Sequence, residues 1–404
     1  MKRLVLIIFF LVLTKIPLSA QLTVNGILDS SASMTAGTGD MQKFSFGVEE
    51  YANIRFQSRL RDNKAVVYGA VNLIAAAGDY AALTALMLPV PEGKWIKYID
   101  HDDIEQEEYV ITNAPAGLPF TAYVYGENYI AGIELERLYF RLNFESANFD
   151  GGLFRLPFGY SQIWGSSDFL NPRNPLKPDA RPRGILGAAV SLYPKDDIKL
   201  IGFTAAPRNP YLNDGSGILA GLSFENHWNK ASIQALYSYE TPNNNGSKYG
   251  IHHAGLSVKA DIEAGFVLDA LYIYNHEAGT KLDGLSLSAG ADYSFFKGKL
   301  IVMLEYLYNG KTSSTSLNEK NILGMPDRHY LFSSFTLLIN DFTNINFGLI
   351  SCLDKTSFIP IITFSNELFQ GAALTIMAQA PLNRDVFDNG NFVFNCTARL
   401  RLRF

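Results

Sequence analysis

The chain has 404 residues, of which 18% are charged and 13% are aromatic, and its formal charge is −5. This acidic balance argues against nucleic-acid binding, which relies on clustered basic residues. No run of about 18 apolar residues follows the N-terminal segment, which argues against helical membrane spans. Many aromatics and glycines in short alternating segments are instead typical of a membrane-spanning β-barrel.

Residues 1–20 predict a secretory signal peptide. Lys2 and Arg3 form a basic start, residues 4–13 are apolar, and small residues precede Gln21, the expected first mature residue. The apolar run is about half the length of a membrane span, so export is favoured over a membrane anchor. Cleavage after residue 20 removes three basic residues and no acid, which takes the formal charge from −5 to −8.

Residues 21–404 predict a single all-β domain, a transmembrane antiparallel β-barrel of 16 to 18 strands. About eighteen segments alternate between apolar and polar residues, and a strand places these two parities on opposite faces. Residues 44–59 show the pattern clearly, with phenylalanines on one parity and Arg55 and Arg59 on the other. The connections alternate between short and long, as periplasmic turns and external loops do in outer-membrane barrels.

Residues 78–130 and 160–183 predict two long loops that either cover the barrel mouth or fold inward. The first contains an acidic run at residues 100–108. This run lacks the Gly and the spacing of a calcium loop, so a solvated charged surface is the preferred interpretation. In the second, four prolines from Pro172 to Pro182 exclude a helix or strand and indicate a stiff extended loop.

The pattern predicts a strand at residues 152–159, after a turn at residues 146–150. Phe154, Leu156 and Phe158 of this strand are expected to face outward, and Arg155 inward.

Inward-facing charged residues are the candidates for lining the pore. Arginine side chains along a channel wall favour anions. The alternative is that these arginines pair with inward acids such as Glu49, Asp269, Asp292 and Glu305 and only solvate the interior. The predicted pore-lining residues are Arg55, Arg59, Arg137, Arg141, Arg155, Asp269, Asp292 and Glu305.

The last thirteen residues, F-V-F-N-C-T-A-R-L-R-L-R-F, end on the aromatic Phe404. The residues at even-numbered positions are apolar throughout, and those at odd-numbered positions include three arginines. This segment resembles the closing strand of bacterial outer-membrane β-barrels. The resemblance implies that Phe404 belongs to the signal read by the barrel-assembly machinery.

A second resemblance lies in W-G-S-S-D-F-L-N-P, at residues 164–172. It is similar to a motif of outer-membrane porin-like barrels, in which W-G at a strand end is followed by D-x-x-N-P. The resemblance implies pore-lining or loop-anchoring roles. The positions that match are Trp164, Gly165, Asp168, Asn171 and Pro172, together with Arg155 in the strand that precedes them.

These observations favour an outer-membrane porin that allows passive diffusion of small hydrophilic solutes, with a preference for anions as a further expectation. The alternatives are a transporter of hydrophobic compounds and a surface adhesin or structural barrel with a closed lumen. No catalytic constellation, cofactor motif or metal-ligand spacing is present, so an enzyme is not expected. The expected partners are outer-membrane lipids, the assembly machinery, the solutes and, in a homo-oligomer, further copies of the chain.

Overall fold

The structure is a computed structural model of the full chain. It describes residues 21–37, 44–60, 63–78, 92–99, 105–113, 121–125, 128–171, 184–206, 217–242, 250–275, 284–310, 327–355, 357–380, 382 and 392–404. The predicted signal peptide, residues 1–20, lies outside this part of the chain. No helix within the described ranges has the length and apolar character needed to cross a membrane.

The described chain forms strands along nearly its whole length. The first ten are β1 (Gln21–Gly37), β2 (Phe44–Leu60), β3 (Ala65–Gly78), β4 (Glu92–Ile99), β5 (Glu105–Asn113), β6 (Thr121–Tyr125), β7 (Tyr129–Asn143), β8 (Ala147–Phe154), β9 (Ile185–Lys195) and β10 (Ile198–Ala205). The next six are β11 (Leu219–Trp228), β12 (Ala231–Glu240), β13 (Ile251–Asp261), β14 (Gly265–Asn275), β15 (Leu285–Phe295) and β16 (Leu300–Asn309). The last five are β17 (His329–Asn340), β18 (Thr343–Cys352), β19 (Ser357–Phe369), β20 (Ala372–Gln379) and β21 (Phe392–Arg403).

Eighteen of these strands form a closed antiparallel barrel, which confirms the predicted fold class. Each strand pairs with its neighbours in the chain, β3 pairs with β7, and β1 pairs with both β2 and β21 to close the cylinder. Closure leaves no free sheet edge, which a membrane-spanning sheet requires. The long connection after β3 is more structured than the sequence indicates: β4 and β5 form a separate hairpin, and β6 pairs with the outer part of β7.

The barrel is apolar outside and polar inside. On β14 the side chain of Asp269 is 0% exposed, whereas the adjacent Leu268 is 39% exposed. The same alternation places Ser288 and Glu305 inside, while Leu304 is exposed on the outer face. An apolar outer face and a polar inner face are the arrangement expected of a barrel that has lipid around it and water within it.

Exposed aromatic residues mark two levels on the outer face. Trp228, Phe296 and Phe342 lie at the short turns and are 56%, 74% and 61% exposed. Tyr237 and Tyr306 lie toward the opposite strand ends, where their hydroxyls are hydrogen-bonded to His252 and His329. Two such levels correspond to the interfacial girdles of a transmembrane barrel.

A β-bulge interrupts the alternation of β7. Arg137 pairs with Ala70 and Leu135 pairs with Val71, so Glu136 is the extra residue. As a result, Glu134 and Glu136 face the interior on one side of the bulge and Arg137 faces it on the other.

One sequence prediction about β8 is wrong. The strand is Ala147–Phe154 rather than residues 152–159, and its preceding turn lies before Ala147. Phe154, Leu156 and Phe158 face the interior and are 3%, 8% and 3% exposed, instead of facing outward. They are buried because the chain after Phe154 turns into the barrel.

The barrel closes beside its C-terminus. The backbone N–H of Gly26 donates to the carbonyl of Phe404 at 2.8 Å, and the N–H of Phe404 donates to Gly26 at 3.1 Å. The Phe404 ring lies over Gly26, where an added Cβ would be 2.5 Å from the ring and 2.8 Å from the carbonyl oxygen of Asn53. Only glycine leaves room for the terminal ring at this position.

Replacing Gly26 with valine is therefore expected to displace the Phe404 ring and weaken the closing seam. The expected loss of unfolding free energy is about 1–3 kcal/mol, typical of overpacking. The measurement is the temperature at which the folded, fast-migrating band on a gel is converted into the unfolded band. Gly202→Ala is the control, because Gly202 has no left-handed φ and an added Cβ there meets only the Leu222 side chain, at an ordinary contact distance of 3.6 Å. A Gly26→Val protein with unchanged heat stability would contradict this role.

Candidate functional site

The interior of the barrel is partly filled by residues 155–171, here called the inward segment. This segment leaves the external end of β8 and crosses to the inner faces of β12–β17, where it makes hydrogen bonds and apolar contacts. Residues 160–171 begin the second predicted long loop, and its remainder, with Pro172, lies outside the described residues. The inward segment is the structural element that determines how much of the lumen stays open.

Glu305 of β16 holds the tip of the inward segment. Its carboxylate accepts hydrogen bonds from the backbone N–H groups of residues 162–164, with 2.9 Å to the Trp164 nitrogen, and from the Ser161 hydroxyl. The Trp164 indole N–H donates to the Glu305 backbone carbonyl at 2.9 Å. Glu305 is 1% exposed, and a buried carboxylate is stable when surrounded by donors in this way.

Asp269 of β14 holds the preceding residues of the segment. Its carboxylate accepts from the backbone N–H groups of Tyr160 and Ser161 at 3.0 and 2.8 Å. Gln234 of β12 accepts from the Gly159 N–H at 2.7 Å, and Gly159 has φ 86°, a conformation that favours glycine. These inner-wall side chains replace the hydrogen bonds that a β-sheet partner would have supplied.

Tyr160 adds a side-chain contact to this anchor. Its hydroxyl donates to Glu225 of β11 at 2.9 Å. Burial, reinforced by the Glu225 carboxylate, raises the pKa of the Tyr160 phenol. The hydroxyl therefore stays protonated and remains a donor across the physiological pH range.

The motif residues stabilise the turn of the inward segment. Gly165 has φ 51°, and its carbonyl accepts from the Asp168 N–H at 2.9 Å. The Asp168 carboxylate accepts from the Asn171 N–H at 3.2 Å, and the Asn171 side chain accepts from the Leu156 N–H at 2.9 Å. The end of the segment is thus tied back to its beginning, a geometry that suits the loop-anchoring role implied by the resemblance.

Two apolar clusters fix the segment against the wall. In the first, Phe158 and Phe169 pack on Phe203, Leu236 and Leu271 of the inner face. In the second, Trp164 is 0% exposed and lies 5.9 Å from Tyr330, between the ring centroids, among inward residues of β16–β19. The interior is therefore not uniformly polar, and its apolar part is covered by the chain itself.

The wall formed by β2, β3, β7 and β8 carries most of the predicted arginines. Arg155 donates to Glu136 at 3.1 Å, and Arg137 lies 3.4 Å from the same carboxylate. Glu136 also accepts from Asn53 at 2.7 Å. Burial and the nearby Arg137 lower the pKa of Arg155 to about 10, so this guanidinium is still protonated at neutral pH.

Other inward arginines also have acidic partners. Arg141 of β7 makes two hydrogen bonds to Asp150 of β8, at 2.6 and 3.0 Å. Across the closing seam, Arg401 of β21 makes two hydrogen bonds to Asp29 of β1, both at 2.8 Å. Sequence reasoning did not propose Arg401, Asp29, Asp150 or Glu136 as site residues, although strand parity marks Arg401 as inward.

The alternative that these arginines pair with the predicted inward acids is wrong for Asp269 and Glu305, which bind the inward segment instead. Asp292 lies on the inner face of β15, against Gly265. Arg55 and Arg59 lie on the inner face of β2, where Arg55 donates to the side chain of Asn53 at 2.6 Å. A pore-lining role for these residues stays a prediction.

Comparison with known proteins supports the fold. A scan against protein-family models finds no match, and a search of curated proteins finds none either. Among solved structures, a BenF-like porin from Pseudomonas fluorescens Pf-5 superposes with a TM-score of 0.57 at 10% identity, over 96% of this chain and 98% of that one. The chain has the fold of a bacterial outer-membrane porin.

Two further porin structures superpose over nearly the same length. Acinetobacter baumannii OccAB1 gives a TM-score of 0.54 at 10% identity, over 95% of this chain and 96% of that one. Pseudomonas aeruginosa OpdK, solved with vanillate, gives 0.52 at 10% identity, over 95% and 98%. At these identities the comparison shows a shared architecture.

Proposed function

We propose that this chain is a porin of the bacterial outer membrane, through which small hydrophilic solutes diffuse passively, and that it catalyses no reaction. Residues 1–20 direct export in this proposal, and residues 21–404 form one barrel domain. A barrel of eighteen strands encloses an aqueous channel unless something fills it. Selectivity then depends on the width of the remaining lumen and on its charge.

The observation that carries the proposal is the docking of the inward segment on Asp269 and Glu305. A segment anchored to one side of the lumen narrows a channel without closing it. The opposite wall, formed by β21, β1, β2 and β3, presents polar side chains that are at least partly exposed, such as Gln57, Arg59 and Arg401. Water and small polar solutes fit such a wall, whereas a carrier of hydrophobic compounds would expose its apolar residues to the lumen.

Anion preference, membrane partners and assembly are further parts of the proposal. The inward arginines on β2 supply fixed positive charge along one wall. In this proposal the outer face contacts outer-membrane lipids, and Phe404 is the end of the signal read by the barrel-assembly machinery. A homo-oligomer would add contacts between outer faces. None of these roles requires a cofactor or a metal.

The test is single-channel conductance of the refolded protein in a planar bilayer. Steady conductance steps, together with a reversal potential in a salt gradient that indicates anion preference, are the expected result. Heat-unfolded protein at the same concentration is the control. Silent bilayers from protein that is shown to be folded would overturn the porin and favour a closed structural barrel or adhesin.

A further inference from the structure

The acid-paired arginines of the wall formed by β2, β3, β7 and β8 contribute little net charge to the lumen. Arg137 and Arg155 both lie beside the Glu136 carboxylate. Asn53 donates to Glu136 and to Asn72, and Asn72 in turn donates to Glu134 at 3.0 Å, so two carboxylates belong to the same network. Arg141 is matched by Asp150. Opposite charges at contact distance largely cancel at the distance of a passing ion.

Arg55 and Arg59 differ from these arginines. Within the part of the chain that the structure describes, neither guanidinium has a carboxylate within ion-pairing distance, and the partner of Arg55 is the neutral amide oxygen of Asn53, at 2.6 Å. Both side chains belong to the inward parity of β2, with Gln57 between them. Among the described residues they therefore present two positive charges without a carboxylate partner, in a row along the channel.

The lower of the two arginines lines a recess at the periplasmic end. Arg59 and Gln57 form one side of a cavity of about 250 Å³, and Tyr68, Tyr139 and Arg141 form the other. Because Arg141 is bound to Asp150, Arg59 supplies the unpaired positive charge of this recess. An anion that leaves the channel on this side passes the Arg59 guanidinium, whose N–H groups can donate hydrogen bonds to it.

We propose that Arg55 and Arg59 of β2 are the specificity-determining residues of this channel, and that they draw small anions along β2 to the periplasmic recess. The arginines near the inward segment hold the wall and its acids in place instead. This inference rests on the proposed porin function. It locates the anion preference on one strand and at one end of the lumen.

The experiment is the reversal potential of single channels in a potassium chloride gradient, measured for the full-length refolded protein. The double variant Arg55→Gln/Arg59→Gln is expected to lower the chloride-over-potassium permeability ratio by about twofold or more, because two fixed charges leave the wall. Arg59→Gln alone should produce part of this shift. Arg59 has no hydrogen-bond partner to lose within the described residues, so the single variant remains informative if the double variant fails to fold.

The matched control is Arg401→Gln/Asp29→Asn, which removes a paired inward arginine and its acid outside the recess, with no change in net charge. Its permeability ratio is expected to equal that of the wild type. The inference is overturned if wild-type channels conduct without anion preference, if the β2 variants keep the wild-type ratio, or if the control shifts it equally. A folded wild type that forms no channels would instead overturn the proposed function.

Discussion

Replacing Glu305 with glutamine is expected to undock the inward segment and raise the single-channel conductance. The carboxylate accepts from three consecutive backbone N–H groups and from the Ser161 hydroxyl. A glutamine of the same size has one acceptor oxygen, and its NH₂ group would face the donors of the segment. Each buried donor left unpaired costs about 1–3 kcal/mol, so the docked state loses several kcal/mol.

The conductance change should come with greater flicker, because a released segment moves in and out of the ion path. Glu367→Gln is the control, since Glu367 lies near the periplasmic end of β19 and lines a groove that the inward segment does not reach. Both variants lose one carboxylate, so only the loss of docking separates them. Equal conductance in the two variants would show that Glu305 does not hold the constriction.

The barrel itself was predictable because its signal is local. Lipid outside and water inside impose a two-residue alternation on each strand, and a closed barrel repeats this alternation around the cylinder. The segment 44–59 was assigned almost to its observed ends, Phe44–Leu60. The length difference between short turns and long loops added a second local signal. Neither signal depends on which residues meet across the lumen.

The misplacement of β8 has a physical cause. Phe154, Leu156 and Phe158 alternate as the lipid-facing residues of a strand do, but they pack on an apolar part of the interior that includes Phe203 and Leu271. Alternation reports that one side of a segment is buried. It does not report whether lipid or another part of the same protein covers that side.

The alternation of side chains along a strand also could not predict which charged residues pair in the interior. Strict alternation places Glu136 and Arg137 on opposite faces of β7, yet both reach the interior because a bulge separates them. A carboxylate directed at lipid is unfavourable, so Glu134 and Glu136 in an otherwise regular strand were the available signal for that bulge. The hydrogen bonds from the inward segment to Asp269 and Glu305 join residues far apart in sequence, so no local sequence pattern could predict them.

Removing the Arg401 side chain is expected to destabilise the barrel more than removing any other single inward arginine, because it opens the closing seam. Arg401→Ala leaves the Asp29 carboxylate, 6% exposed, without its two 2.8 Å hydrogen bonds. Breaking a buried ion pair from one side costs about 3–5 kcal/mol. The measurement is the heat-induced shift between folded and unfolded bands on a gel, which should occur at a clearly lower temperature than in the wild type.

The second substitution Asp29→Asn should restore much of this loss. It removes the charge that Arg401→Ala leaves unpaired, while the backbone hydrogen bonds of the seam and the packing of Phe404 on Gly26 remain. If the double variant melts no higher than Arg401→Ala, then the cost comes from lost packing of the arginine stem rather than from the stranded carboxylate. If Arg401→Ala melts like the wild type, the ion pair contributes nothing to closure, and the backbone ladder between β1 and β21 holds the seam alone.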